Sequence, residues 1–129
     1  MIRQYTKTGQ MHERTGIENQ DHGAFLINDR YCFAVIADGA TACLHSAQGA
    51  ALACQAALTY ADAYMDQLWQ FPEEKIAYLF WEEIRNRLLQ EANTHGHRPE
   101  DYASTLSLCC YDPATHRLLL FHRLLPAFR

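Results

Sequence analysis

The spacing of hydrophobic and polar positions changes twice along the chain, from the period of strands to that of helices and back. Residues 1–23 are mostly polar and contain three glycines, a pattern typical of a short strand followed by a loop. Residues 24–27 and 31–37 are apolar runs separated by Asn28-Asp29-Arg30, whose residue types favour a turn. The pattern therefore predicts a β-hairpin. Its second strand is almost wholly apolar, which is typical of a strand buried on both faces.

Two helical patterns follow the hairpin. The first runs from Ser46, the predicted N-cap, to about Met65, and its small apolar positions would let the helix pack closely against a sheet. The second runs over about 72–94, with Pro72 in its first turn and acidic residues after it. Each helix has one apolar face, formed by Ala50, Cys54, Leu58 and Ala61 in the first and by Ile76, Phe80, Ile84 and Leu88 in the second.

After the two helices, the hydrophobic positions return to the spacing that is typical of strands. Residues 104–111 and about 117–122 are predicted strands, joined by a turn that contains Asp112 and Pro113. Residues 123–129 show neither pattern. Strands, then helices, then strands predict an α+β layered domain, with two antiparallel sheet fragments and a helical pair between them in sequence.

Composition narrows the class of protein. With 49% hydrophobic and 20% charged residues, the chain is typical of a globular domain. A formal charge of −4 argues against a nucleic-acid partner, and the sequence has neither the apolar window of a membrane span nor a signal peptide. Five cysteines without a CxxC pair indicate buried thiols in a reducing compartment, and the alternatives are disulfides or a zinc site. We therefore expect a cytoplasmic protein without a membrane partner.

Two acidic motifs are candidate metal sites. Asp38-Gly39 ends the second hairpin strand, where a carboxylate at the sheet rim can reach a metal ion; the alternative is an ordinary tight turn. The run Glu18-Asn19-Gln20-Asp21 offers oxygen ligands that suit a hard cation, and the alternative is a solvated loop cap. Pairing within the hairpin can bring Asp21 to the same rim as Asp38.

Several motifs together resemble the type 2C protein phosphatases, in particular a bacterial branch of this family. The similarity covers about residues 8–122. It is carried by Gly9-x-x-His12 with Gly16 and Asn19-Gln20-Asp21, by Phe33-Ala-Val-Ile-Ala-Asp-Gly-Ala40, by Ser46-Ala-Gln-Gly-Ala50 and by Ala103-Ser104-Thr105-Leu106. The resemblance implies a layered sandwich of antiparallel sheets flanked by helices. It also implies a bacterial signalling hydrolase that removes phosphate from serine or threonine of a phosphoprotein with two Mg²⁺ or Mn²⁺ ions.

The resemblance also implies roles for individual residues. Asp38 would bridge both metal ions, Gly39 would offer its carbonyl oxygen to one of them, and Asp21 would hold a metal-bound water, so Asp38 and Asp21 are the expected catalytic residues. The arginine that binds the substrate phosphate is not at its usual spacing, so His12 or Arg14 would serve. For His12 the alternative is an ordinary surface histidine.

The chain departs from the family pattern in its acidic residues. Gln20 stands where most members have glutamate, and the strand at 118–121 is followed by His122-Arg123 instead of Gly-Asp. No Asp-Gly or Asp-Asn occurs after residue 39. We therefore expect residues 1–129 to form one truncated phosphatase-like domain, inactive or weakly active by itself, with an exposed apolar surface or a tendency to self-associate. The alternatives are a catalytically silent binding module of the same lineage and an unrelated α+β domain in which Asp21 and Asp38 are structural.

Overall fold

The structure is a computed structural model that describes residues 2–5, 21–40 and 43–126. These described residues form five strands, two α-helices and one short 3₁₀ helix. In chain order they are β1 (Ile2–Tyr5), β2 (Asp21–Ile27), β3 (Cys32–Gly39), α1 (Ser46–Leu68), α2 (Glu73–His95), the 3₁₀ helix (Pro99–Tyr102), β4 (Ser104–Asp112) and β5 (Arg117–Leu125).

The five strands form one antiparallel sheet in the order β1-β2-β3-β4-β5. The predicted α+β class is confirmed. The strand pairs before and after the helices form one sheet instead of two fragments, because β3 pairs with β4 along its full length, from Cys32 opposite Tyr111 to Gly39 opposite Ser104. The helical pair is thus a long connection between neighbouring strands.

Both helices pack on one face of the sheet. The small residues of α1 are buried there, as the sequence predicts, and α1 contacts β2, β3 and β4. The apolar stripe of α2 is buried too, and the rings of Phe80 in α2 and Phe121 in β5 have centroids 6.1 Å apart. The core lies between the sheet and the helices, and these contacts fix the positions of the strand ends.

Several element ends differ from the predictions. Residues 123–125 belong to β5, although the sequence there shows no pattern, because Arg123 and Leu125 pair with β4 residues. Ser46 is not the N-cap: His45 takes that position without a side-chain cap, and Ser46 is a buried first-turn residue. Pro72 precedes α2 as its N-cap. The hairpin turn is as predicted, and Asn28 Oδ1 accepts hydrogen bonds from the backbone amides of Arg30 and Tyr31.

The other face of the sheet carries exposed apolar side chains. In β3 the burial alternates, with Phe33 and Val35 inside and Ile36 65% exposed, so the expectation of a strand buried on both faces is wrong. No helix in the described ranges packs on this side. We call it the open face, defined by the exposed side chains of Phe25, Ile27, Ala34, Ile36, Ser107, Leu118, Leu120, His122 and Leu124, together with the partly exposed Cys109.

Candidate metal site at the sheet rim

The candidate site lies where β2 begins and β3 ends. Asp21 is the register partner of Asp38, and on its other side Asp38 is opposite Thr105 of β4. Directly opposed residues of an antiparallel pair generally have Cβ atoms about 4.5–5.5 Å apart. The hairpin therefore brings the two aspartates to one rim of the sheet, as its predicted pairing requires.

The alternation along β3 sets the surroundings of Asp38 and Gly39. Ala37 and Gly39 lie on the helix-covered side and are buried, whereas Asp38 is exposed on the side of the open face. Gly39 is the register partner of Ser104, which is fully buried. Within the described part of the chain the Ser104 hydroxyl has no hydrogen-bond partner. One side of the rim is thus exposed and acidic, and the other is closed by packing.

The backbone after Gly39 is hydrogen-bonded to the 3₁₀ helix and to the residue that follows it. The Ala40 amide donates to the Ala103 carbonyl at 3.0 Å, and the His45 amide donates to the Asp101 carbonyl at 2.8 Å. At Gly49 the backbone of α1 lies directly against the backbone of Tyr102. These contacts tie the beginning of α1 to the segment that leads into β4, and so to Thr105 opposite Asp38.

A cluster of rings stands beside this junction, and sequence reasoning did not find it. The imidazoles of His45 and His97 are stacked with centroids 3.8 Å apart, and Nδ1 of His97 lies 2.7 Å from the Tyr102 hydroxyl. Burial, followed by the charges of Glu91 and Asp101, raises the pKa of Tyr102. No local pattern joins residues 45, 97 and 102, because their contact depends on how α1 and α2 pack.

The open face holds a second polar pair that sequence reasoning did not find. Ser107 and His122 are register partners on β4 and β5, and Ser107 Oγ lies 2.7 Å from His122 Nδ1. Each side chain supplies the other with a hydrogen-bond partner. The pair lies among apolar residues around a shallow cavity of about 330 Å³, lined in part by Ile36 and Leu120. The Ser107–His122 pair follows from the register of β4 and β5, which the sequence alone does not give.

The donor atoms at the rim fit a hard cation only in part. Mg²⁺ and Mn²⁺ prefer oxygen ligands, and Asp21 and Asp38 are residues of that type. Across the ranges that the structure describes, no group of three or more His, Cys, Asp or Glu side chains could hold a metal ion. The acidic residues of the 3₁₀ helix, Glu100 and Asp101, instead form ion pairs with Arg98 at 3.7 and 4.0 Å. The described residues thus place two aspartates on neighbouring strands at the rim, without a third acidic, histidine or cysteine ligand beside them.

The other predicted site residues lie outside the described residues. These are His12 and Arg14, the candidates for binding the substrate phosphate, and the acidic and amide residues Glu18, Asn19 and Gln20. Their roles stay predictions, as do those of Asp21, Asp38 and Gly39.

The five cysteines, all of them in the described ranges, are free thiols. Cys54 and Cys110 are buried, and burial raises the pKa of each to about 12. Cys32, Cys43 and Cys109 are partly exposed. Neither helix of the described chain is long and apolar enough to cross a membrane.

Comparison with known proteins identifies the family. The family model described as protein phosphatase 2C matches residues 8–122. A search of curated proteins gave no match, and a search of solved structures gave none either. The matched segment contains β2 to β4, both helices and the rim where Asp21 is opposite Asp38. Because the match covers most of the sequence, this chain belongs to the protein phosphatase 2C family, whose members are phosphatase-type hydrolases.

Proposed function

We propose that this chain carries part of a metal-dependent serine/threonine phosphoprotein phosphatase domain. The observation that supports the proposal is the register of the hairpin. It sets Asp21 opposite Asp38 at the sheet rim, inside the segment that matches the family. The proposed substrate is a phosphoserine or phosphothreonine of a cytoplasmic phosphoprotein, the preferred cations are Mg²⁺ or Mn²⁺, and the pathway is bacterial signalling.

Each residue at the rim would have a separate role in binding the cations or the water. Asp38 would bridge the two cations of the complete domain, Gly39 would offer its carbonyl oxygen to one of them, and Asp21 would position a water. Bound cations would supply Lewis-acid activation of water and stabilise negative charge on the phosphate. His12 or Arg14 would hold the substrate phosphate by charge-assisted hydrogen bonds.

Residues 1–129 would by themselves be inactive or weakly active. Two dications about 4 Å apart repel each other strongly unless several carboxylates lie between and around them. The described part of the rim offers Asp21 and Asp38. We therefore propose that these residues belong to one domain and by themselves bind at most one cation weakly.

A second candidate function is a catalytically silent, phosphatase-like binding module. The open face favours it, because exposed apolar surface on a sheet commonly marks a place of contact with another protein. The two candidates differ at Asp38, which matters for cation binding and hydrolysis in the first and is dispensable in the second.

Calorimetric titration with Mn²⁺ tests the proposal. The matched pair of variants is Asp38→Asn at the rim and Asp29→Asn in the turn at the opposite end of the same hairpin. Weak Mn²⁺ binding should be lost in the first variant and kept in the second. If both variants bind Mn²⁺ like the unchanged chain, the rim is not the cation site.

Hydrolysis of para-nitrophenyl phosphate tests the activity itself. The 129-residue chain with Mn²⁺ should give little or no turnover. A chain extended with the family's Gly-Asp, Asp-Gly and Asp-Asn motifs should be active, and Asp38→Ala should abolish that activity. Robust turnover by the 129-residue chain that survives Asp38→Ala would contradict the proposal, and a silent extended chain would favour the binding module.

A further inference from the structure

The ring cluster beside the 3₁₀ helix joins three separate parts of the chain. His45 precedes α1, His97 follows α2, and Tyr102 ends the 3₁₀ helix. The imidazoles of His45 and His97 are nearly parallel, with 15° between their planes. The centroid of the Tyr102 ring lies 5.5 Å from that of His45 and 5.7 Å from that of His97. His97 thus brings the end of α2 into contact with the beginning of α1 and with the 3₁₀ helix.

His97 is fixed at both its backbone and its side chain. Its backbone amide donates a hydrogen bond to the Ala92 carbonyl at 2.8 Å, which anchors it to the last turn of α2. Its Nδ1 atom lies 2.7 Å from the hydroxyl of Tyr102, a residue that is 1% exposed. A buried hydroxyl is stable when it has a hydrogen-bond partner, so His97 and Tyr102 hold each other in one orientation.

The residues on either side of Tyr102 bind the backbone that follows the rim. The carbonyl of Ala103, the next residue, accepts a hydrogen bond from the Ala40 amide at 3.0 Å, and Ala40 directly follows the glycine of the rim. The carbonyl of Asp101, the preceding residue, accepts a hydrogen bond from the His45 amide at 2.8 Å. A displacement of Tyr102 would therefore move both acceptors.

We propose that His97 is a positioning residue for the rim. By its contacts with His45 and Tyr102 it holds the backbone that follows Gly39, and so keeps Asp38 and Gly39 in the geometry that a cation requires. His97 acts through these contacts and not as a ligand, in the way that residues around a metal site orient its ligands. The inference rests on the proposed function, which assigns the rim to a cation.

The chain offers a matched control for the contact of His97 with Tyr102. The Tyr111 hydroxyl lies 2.9 Å from Nδ1 of His116, so the same two groups meet at the opposite end of β4 from the rim. A variant at either pair loses the same kind of hydrogen bond. A role confined to stability predicts similar local effects from both pairs, whereas a positioning role predicts an effect at the rim from the Tyr102 pair alone.

Amide hydrogen exchange measures the position of the backbone without a cation. Tyr102→Phe removes the hydroxyl and keeps the ring. It should make the amides of Ala40 and His45 exchange about two- to tenfold faster, because one hydrogen bond that opposes local opening is lost. His97→Ala also removes the ring contact and should have a larger effect. Tyr111→Phe should leave the exchange of both amides unchanged.

Calorimetric titration with Mn²⁺ measures the consequence for the rim. Tyr102→Phe and His97→Ala should raise the dissociation constant of the 129-residue chain for Mn²⁺ by about two- to thirtyfold, the range typical of residues that act on a site through others. Tyr111→Phe should leave it unchanged. His97→Asn should recover part of the affinity, because its side-chain amide can bond the Tyr102 hydroxyl.

Two outcomes would overturn the proposal. If the amides of Ala40 and His45 exchange in Tyr102→Phe and His97→Ala as they do in Tyr111→Phe, His97 does not hold the backbone after the rim. If exchange is faster but the affinity for Mn²⁺ is unchanged, His97 does not position the rim for a cation. An unchanged chain that binds no Mn²⁺ would contradict the proposed function instead, and the exchange rates would then decide the role of His97.

Discussion

Gly49 of α1 lies directly against the backbone of Tyr102: a Cβ atom on Gly49 would overlap with the Tyr102 carbonyl oxygen and would stand 2.7 Å from its carbonyl carbon. Both residues are buried. The contact joins α1 to the segment before β4, and β4 pairs with the strand that ends in Asp38 and Gly39. A glycine in the first turn of a helix thereby helps to position the rim of the sheet.

We expect Gly49→Ala to destabilise the chain. Alanine favours a helix more than glycine does, by up to about 1 kcal/mol, but here its methyl group would overlap with backbone atoms that have little room to move. The net loss in the free energy of unfolding should be about 1–3 kcal/mol. Urea unfolding followed by circular dichroism measures it, with the exposed neighbour Gln48→Ala as control. Equal or greater stability of Gly49→Ala would show that the contact is not close.

Mn²⁺ should stabilise the unchanged chain and not the variant Asp38→Asn. A cation that binds the folded chain and not the unfolded chain raises the melting temperature, and Asp38 lies at the rim where β3 ends. A thermal melt with and without Mn²⁺ measures the difference. Asp29→Asn, in the turn at the other end of the hairpin, serves as the control and should respond like the unchanged chain. An equal rise in Asp38→Asn would place the cation elsewhere.

Two of the five thiols should react slowly with a disulfide reagent. The thiolate is the reactive form, and burial raises the pKa of Cys54 and Cys110 to about 12. At pH 8 the folded chain should show up to three accessible thiols, and all five should react in denaturant. Rapid reaction of all five in the folded chain would contradict the burial of Cys54 and Cys110.

The same two thiols should make the fold less stable in alkali. Their pKa in the folded chain, about 12, is above the ordinary value of 9.0, so the unfolded chain loses these protons first. The stabilising effect is complete below pH 9 and is lost as the pH rises from about 9 to about 12. Urea unfolding across this range measures the decline, and Cys54→Ala and Cys110→Ala should each make it less steep. A decline of unchanged slope in both variants would assign it to other groups.

Arg117→Ala should loosen the junction between β5 and the end of α1. The Arg117 guanidinium donates a hydrogen bond to the Trp69 carbonyl at 2.7 Å, and its Cζ atom lies 4.2 Å from the centroid of the indole ring. Removing both interactions should cost about 1–2 kcal/mol in the free energy of unfolding. The control, Arg123→Ala, changes an exposed arginine of the same strand and should have an effect below about 0.5 kcal/mol. Equal effects of the two variants would contradict a specific role for Arg117.

The sequence by itself determined the elements and the residues that mark the site. The change from period 2 to period 3.6 and back located both helices and the strands of both hairpins, because each pattern reflects the direction of side chains within a few residues. Asn28 and Gly96 end their elements through local geometry: Asn28 accepts backbone hydrogen bonds, and Gly96 adopts φ 67°. The family motifs are local too, and the match over residues 8–122 confirms the lineage that they indicate.

The tertiary structure decided which elements contact each other and which side chains are covered. The pairing of β3 with β4 made one sheet from two predicted pairs, and it extended β5 through residues that show no strand pattern of their own. It also decided that Ala34 and Ile36, apolar residues that suggested a strand buried on both faces, are exposed on the open face. Whether an apolar side chain is covered depends on elements distant in sequence. For the same reason the Gly49 contact with Tyr102 and the Ser107–His122 pair required the packed chain: a local pattern sets the direction of a side chain, and long-range packing sets its neighbour.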